Sequence, residues 1–191
     1  TEPCINSADE AIAFLEALRS VFLYCDTSYA RSDRGQIRCD VNVSLMPEGA
    51  TELGTKVEMK NINSFSSVRE AIICEVERQT GILNNGGVIL QETRRYDEAA
   101  NETYPMRSKE DAKDYRYFPE PDLPNLVIDD GFINECLSDL RTMPNVRREK
   151  YKEAGISEIN INKIIQNKEI SDYLENFESI NLVIASNLLL G

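Results

Sequence analysis

Apolar positions recur along this chain with two periods, and the places where the period changes mark its elements. From Ser7 onward Ile12, Leu15, Leu18 and Phe22 return at steps that line one face of a helix. Ser7 with Glu10 three residues on makes a capping box, so the helix is predicted to start there and to end near Cys25, where the polar run TSYARSDRG takes over. The period then drops to two. Ile37, Cys39, Val41, Val43 and Leu45 alternate with Arg38, Asp40, Asn42 and Ser44, the pattern of a half-buried strand with one polar face. MPEGATELG supplies a turn, and Lys56 to Ile62 returns as a second strand with Val57 and Met59 on one face and Lys56, Glu58 and Lys60 on the other.

Ser64 is placed to cap a second helix running to about Leu83, with Val68, Ile72, Val76 and Leu83 near helical spacing and NNGG to stop it. Val88 to Tyr96 and Thr103 to Arg107 are predicted as strands, and a short helical turn is expected before DYRYFPEPD. That stretch, Asp114 to Asp122, mixes carboxylates, rings, an arginine and two prolines on every face, so it reads as a rigid loop. From about Gly131 the pattern is helical only, broken at Met143-Pro144 and Gly155. Strands separated by helices with few crossovers predict an α+β layer rather than a doubly wound sheet, followed by an all-helical segment.

Bulk properties narrow the functional classes. A chain of 191 residues, 41% hydrophobic and 28% charged, buries a real core. No apolar run approaches the roughly 18 to 20 residues needed to span a bilayer. The start TEPCINSADEAI lacks a signal peptide's basic and apolar regions, so a cytoplasmic setting is expected, without membrane association. Five cysteines without CxxC spacing indicate neither a disulfide framework nor a zinc site. The net charge of −12 opposes nonspecific binding of a polyanion, so any RNA contact must be local. Histidine is absent, which leaves carboxylates, Lys and Arg to carry any acid-base or metal chemistry.

Two sets of residues have that capacity. Asp40 and Asn42 share the polar face of the first predicted strand, as Glu58 and Lys60 share that of the second; if the strands are neighbours, two carboxylates converge with an amide and an ammonium. Hard oxygen donors of this kind suit Mg²⁺ held through one or two carboxylates plus nucleotide phosphates. The alternative is a solvated sheet face carrying an ion pair. Arg94, Arg95, Arg107, Lys109 and Arg116 fall in adjacent strand ends and loops, where they either clamp phosphate or carboxylate groups or pair with nearby acidic residues at the surface. Tyr115, Tyr117 and Phe118 could stack on a base or pack the loop. Arg141, Arg147, Arg148, Lys150 and Lys152 form the most basic stretch, read either as a solvated helix face or as an RNA-backbone contact.

The segments RCDVNVSL, ELGTKVEMKNINSF, NNGG, QETRRYDE, MRSKE and DYRYFPEPDLP follow one another in this order. In wording and order they resemble the B-subunit family of the aspartyl/glutamyl-tRNA amidotransferases, and the resemblance covers nearly the whole chain. It implies a catalytic cradle related in architecture to glutamine synthetase, followed by a helical domain. It also implies a ligase activity. ATP and Mg²⁺ serve to phosphorylate the side-chain carboxylate of Glu or Asp mischarged on tRNA(Gln) or tRNA(Asn), and ammonia from glutamine then gives the amide. The implied partners are the A and C subunits and the mischarged tRNA.

Carried onto these residues, the resemblance implies Asp40 and Glu58 as metal ligands, Asn42, Lys60 and Lys109 as nucleotide-binding, and Lys60, Arg94, Arg95, Arg107 and Arg116 as catalytic. Family members are much longer and supply further ligands, including a histidine, from an upstream segment. The chain is therefore expected to be an internal fragment, with residues 1–127 the C-terminal part of the cradle and 128–191 the truncated start of the helical domain, inactive in isolation. A docking module for partner subunits or RNA, without catalysis, is the competing reading. Coupled binding of ATP and Mg²⁺ separates the two.

Overall fold

The computed structural model describes residues 2–106, 118–140, 142–176 and 182–191. Its first helix, α1 (Ala8–Tyr24), starts where the capping box places it. Ser7 Oγ accepts from the Glu10 backbone N–H at 3.1 Å, satisfying one of the helix's orphan donors, and the Glu10 carboxylate accepts in return from the N–H of Asn6, just ahead of the cap, at 2.7 Å.

Four strands follow with one helix among them: β1 (Val41–Val43), β2 (Val57–Lys60), α2 (Phe65–Asn84), β3 (Thr93–Asp97) and β4 (Glu102–Pro105). They form one sheet in the order β1-β2-β3-β4. β1 and β2 pair antiparallel across the MPEGATELG turn, β3 and β4 pair antiparallel across a short turn, and β2 and β3 pair parallel. A parallel pair needs a crossover connection, which α2 supplies. Ser64 caps that helix, accepting from the Ser67 N–H at 3.0 Å. The fold is α+β, as the pattern predicts.

The strands are shorter than the alternation suggests. The first is predicted over Arg38 to Leu45 and pairs only over Val41–Val43, at the edge of the sheet. The third was predicted to start at Val88 and starts at Thr93. Val88 and Leu90 alternate correctly but are 78% and 72% exposed, and no strand among the described residues pairs with that stretch. Arg107, and the helical turn expected before the aromatic loop, lie outside the described residues.

α2 covers one face of the sheet. Val43, Met59, Ala71 and Tyr96 are the buried centre of that packing, with Val41, Ile72 and Val76 around them. Helix packing and the period of two together decide which side chains remain on the uncovered face.

Beyond the sheet the described residues are helical: α3 (Asp130–Asp139), α4 (Pro144–Glu153), α5 (Glu158–Gln166), α6 (Lys168–Glu175) and α7 (Leu182–Leu190). The chain forms two compact units, one of Thr1–Leu15 with Arg31–Leu123 and the other of Glu16–Ala30 with Pro124–Gly191. The second unit thus takes in the C-terminal half of α1, which no change of period announces. Its core is Tyr151, Ile156, Ile161, Ile164, Ile165 and Leu174. Tyr24 joins it by donating to the Ile165 carbonyl at 3.2 Å, while the Arg147 guanidinium lies over the Tyr24 ring, 4.8 Å from its centre.

Candidate functional site

Strand register brings Asn42, Glu58, Lys60 and Arg95 into two rows on the sheet face away from α2. Asn42 stands directly opposite Glu58, and Glu58 directly opposite Thr93. One step along, Lys60 stands opposite Arg95, and Arg95 opposite Tyr104. Their neighbours Val57 and Met59 are fully buried on the other side, so alternation fixes these side chains outward. Asp40 is exposed, one residue before β1, and continuing the register by that residue sets it across from Lys60.

The rows are chemically connected. The Thr93 hydroxyl donates to Glu58 Oε2 at 3.0 Å, and Lys60 Nζ lies 3.5 Å from the same oxygen. Arg95 lies over the Tyr104 ring at 5.3 Å, and the Tyr104 hydroxyl donates to Glu102 at 2.7 Å. Anionic, amide, ammonium and guanidinium groups therefore share one open surface. It can hold a hard cation on oxygen and balance phosphate charge with Lys60 and Arg95.

Consecutive residues in a strand point to opposite faces, and this separates the two arginines that the sequence placed in one cluster. Arg94 sits on the helix side, opposite Met59, and is buried. It donates to Thr103 Oγ1 at 2.8 Å and to Glu92 at 2.7 Å, and lies 3.8 Å from Glu75 of α2. Glu75 is 0% exposed and also accepts from Arg78 at 2.7 Å, Gln79 at 2.8 Å and Thr103 at 3.1 Å. Burial pushes its carboxyl up, but the hydrogen bonds from Arg78 and Gln79 outweigh that and hold it below the usual range. Arg94 is thus tied into a buried polar cluster between α2 and β3–β4, away from Arg95. Arg107, Lys109 and Arg116 lie outside the described residues, as do Tyr115 and Tyr117; Phe118 is exposed.

Mg²⁺ makes specific demands on such a donor set. Among the described residues no three His, Cys, Asp or Glu side chains gather closely enough to enclose a metal. Asp40, Glu58 and Asn42 are all oxygen donors, however, and an open set of one or two carboxylates beside cations matches a metal that arrives on a phosphate and keeps most of its other ligands elsewhere. The residues fit that group in kind and do not form a closed cage.

Reading the sequence missed Thr93, Tyr104 and Glu75. Thr93 was within reach, since it lies two residues before Arg95 and must share its face. Glu75 was hidden because hydrophobic periodicity ignores polar residues: the buried stripe of α2 is Val68, Ala71, Glu75 and Gln79. In the second unit the basic stretch is mostly committed. Arg147 is 4% exposed and bonds Ser171 at 2.9 Å and Asp172 at 2.8 Å; Arg148 bonds Asn162 at 2.6 Å, and Lys150 pairs with Glu175 at 3.0 Å. Arg141 lies outside the described residues.

Comparison with known proteins agrees with these motifs. A family model described as the GatB/GatE catalytic domain matches residues 1–134. A protein of Caldicellulosiruptor saccharolyticus, named as the B subunit of an aspartyl/glutamyl-tRNA(Asn/Gln) amidotransferase, is 43% identical over 194 aligned residues, covering 100% of this chain and 40% of its own length. Proteins of the same name are 44% identical in Shouchella clausii, over 100% of this chain and 41% of theirs, and 49% identical in Ligilactobacillus salivarius, over 91% and 37%. The chain spans about two-fifths of the length of the relatives it matches.

Proposed function

The chain belongs to the GatB/GatE catalytic-domain family, and from that premise we propose that its open sheet face forms part of an ATP- and Mg²⁺-dependent amidation site acting on Glu or Asp mischarged on tRNA(Gln) or tRNA(Asn). The sheet is read as part of a cradle like that of glutamine synthetase, working in a heterotrimer with A and C subunits. Bound ATP with Mg²⁺ supplies the phosphoryl group that turns the amino acid's side-chain carboxylate into an acyl phosphate open to ammonia. The chain's own residues hold and orient. Glu58 and Asp40 offer carboxylate oxygens to the metal, and Asn42 lies beside Glu58 as an amide able to orient a polar substrate group. Lys60 and Arg95 balance phosphate charge, Arg95 being restrained by its place over Tyr104. Ammonia arrives from glutamine hydrolysed in the A subunit.

The observation that carries this reading is the direct opposition of Asn42, Glu58 and Thr93 beside Lys60 and Arg95 on the sheet face away from α2. In the assembled enzyme, Asp40→Ala and Glu58→Ala should each lower ATP-dependent amide formation on mischarged tRNA by at least about a hundredfold, with the melting temperature retained because both side chains lie opposite the apolar row. Full activity in both variants would overturn the assignment.

A further inference from the structure

We propose that Thr93 is a positioning residue that makes Glu58 a one-oxygen ligand, a reading that rests on the assignment of Glu58 to the metal above. Glu58 is about one-third exposed on a sheet face, where a carboxylate would otherwise rotate between orientations that present either oxygen. Its backbone is already held at the start of β3, the Glu58 N–H donating to the carbonyl of Glu92, the residue just before that strand, at 3.1 Å. The first residue of β3 is Thr93, directly opposite, and its hydroxyl donates to Oε2 at 3.0 Å. Lys60 approaches the same oxygen at 3.5 Å. Both contacts fall on Oε2, and Oε1 has no hydrogen-bond partner among the described residues.

The chemistry follows from that asymmetry. A neutral donor and an ammonium on one oxygen fix the carboxylate plane and leave the lone pairs of Oε1 for a cation. Strand propensity does not require a hydroxyl here, since Val has the same branched shape and suits a strand at least as well. A threonine whose donor is aimed across the register at a carboxylate is therefore doing what a supporting partner of a metal ligand does, fixing the ligand's orientation.

The test uses the complete subunit in its assembled enzyme, with Mn²⁺ and ADP as probes and free Mn²⁺ counted by electron paramagnetic resonance. Thr93→Val should weaken nucleotide-dependent Mn²⁺ binding by about tenfold, Thr93→Ser should restore it to within about twofold, and both should melt at the wild-type temperature. Wild-type Mn²⁺ affinity in Thr93→Val, with Glu58→Gln clearly weakened, would overturn the role of Thr93 and leave that of Glu58 standing. Equal weakening in the Val and Ser variants would show that the hydroxyl alone does not restore binding, and would overturn it too. Wild-type affinity in Glu58→Gln would remove the reading of Glu58, and this proposal with it.

Discussion

Glu75 is a carboxylate without exposed surface in the middle of a helix face, held by Arg78, Gln79, Thr103 and Arg94. Truncating one member of such a cluster strands the others as buried, unpaired charges. Glu75→Ala is expected to destabilise the protein by roughly 3–5 kcal/mol, read from urea unfolding; a loss under 1 kcal/mol would show that water replaces the partner at no great cost. The same residue sets a pH dependence. Its folded pKa is depressed below the ordinary 4.5, so its stabilisation is present in full above that value and is lost as pH falls below it toward the folded pKa. Glu75→Gln should flatten the acid limb of the stability curve, and an unchanged limb would place the acid sensitivity elsewhere, with Asp172 the next carboxyl held low, by Lys168 and Arg147 against its own burial.

Among elements, the β1–β2 connection has the narrowest tolerance. A Cβ built on Gly54 would land on the Leu45 carbonyl oxygen, which closes the turn against the end of β1. Gly54→Ala is expected to cost about 1–3 kcal/mol by forcing that connection apart, and calorimetry showing no loss would mean the turn yields freely. The elements themselves were largely legible. The Ser7 and Ser64 caps, the crossover helix and the alternating faces of β1 and β2 follow from local chemistry that tertiary packing did not override. Strand lengths did not follow, because alternation records which side of a chain is apolar and not whether a neighbour lies alongside; Val88 and Leu90 alternate with no paired strand among the described residues. That Asn42, Glu58 and Lys60 share one sheet face was legible from the alternation. It was misjudged at Arg94, which shares a motif with Arg95 yet points the other way.

For the whole molecule, charge outweighs the one basic stretch. With −12 overall, Arg147 buried, and Arg148 and Lys150 engaged with polar or acidic side chains, little unpaired positive surface remains in that helix to attract phosphates. Residues 1–191 alone should bind tRNA more weakly than about 1 μM at physiological salt, measured by filter binding across a salt series; submicromolar binding there would mean that local geometry overrides net charge. The contact from Tyr24 to Ile165 has a different consequence. It joins positions 141 residues apart, so a ribosome adding about 5–20 residues per second releases the first partner some 7–28 s before the second. During translation the end of α1 waits, its ring and apolar side uncovered, while the whole sheet between is made. Nascent chains stalled between those two points are where a holding chaperone has a segment to grip.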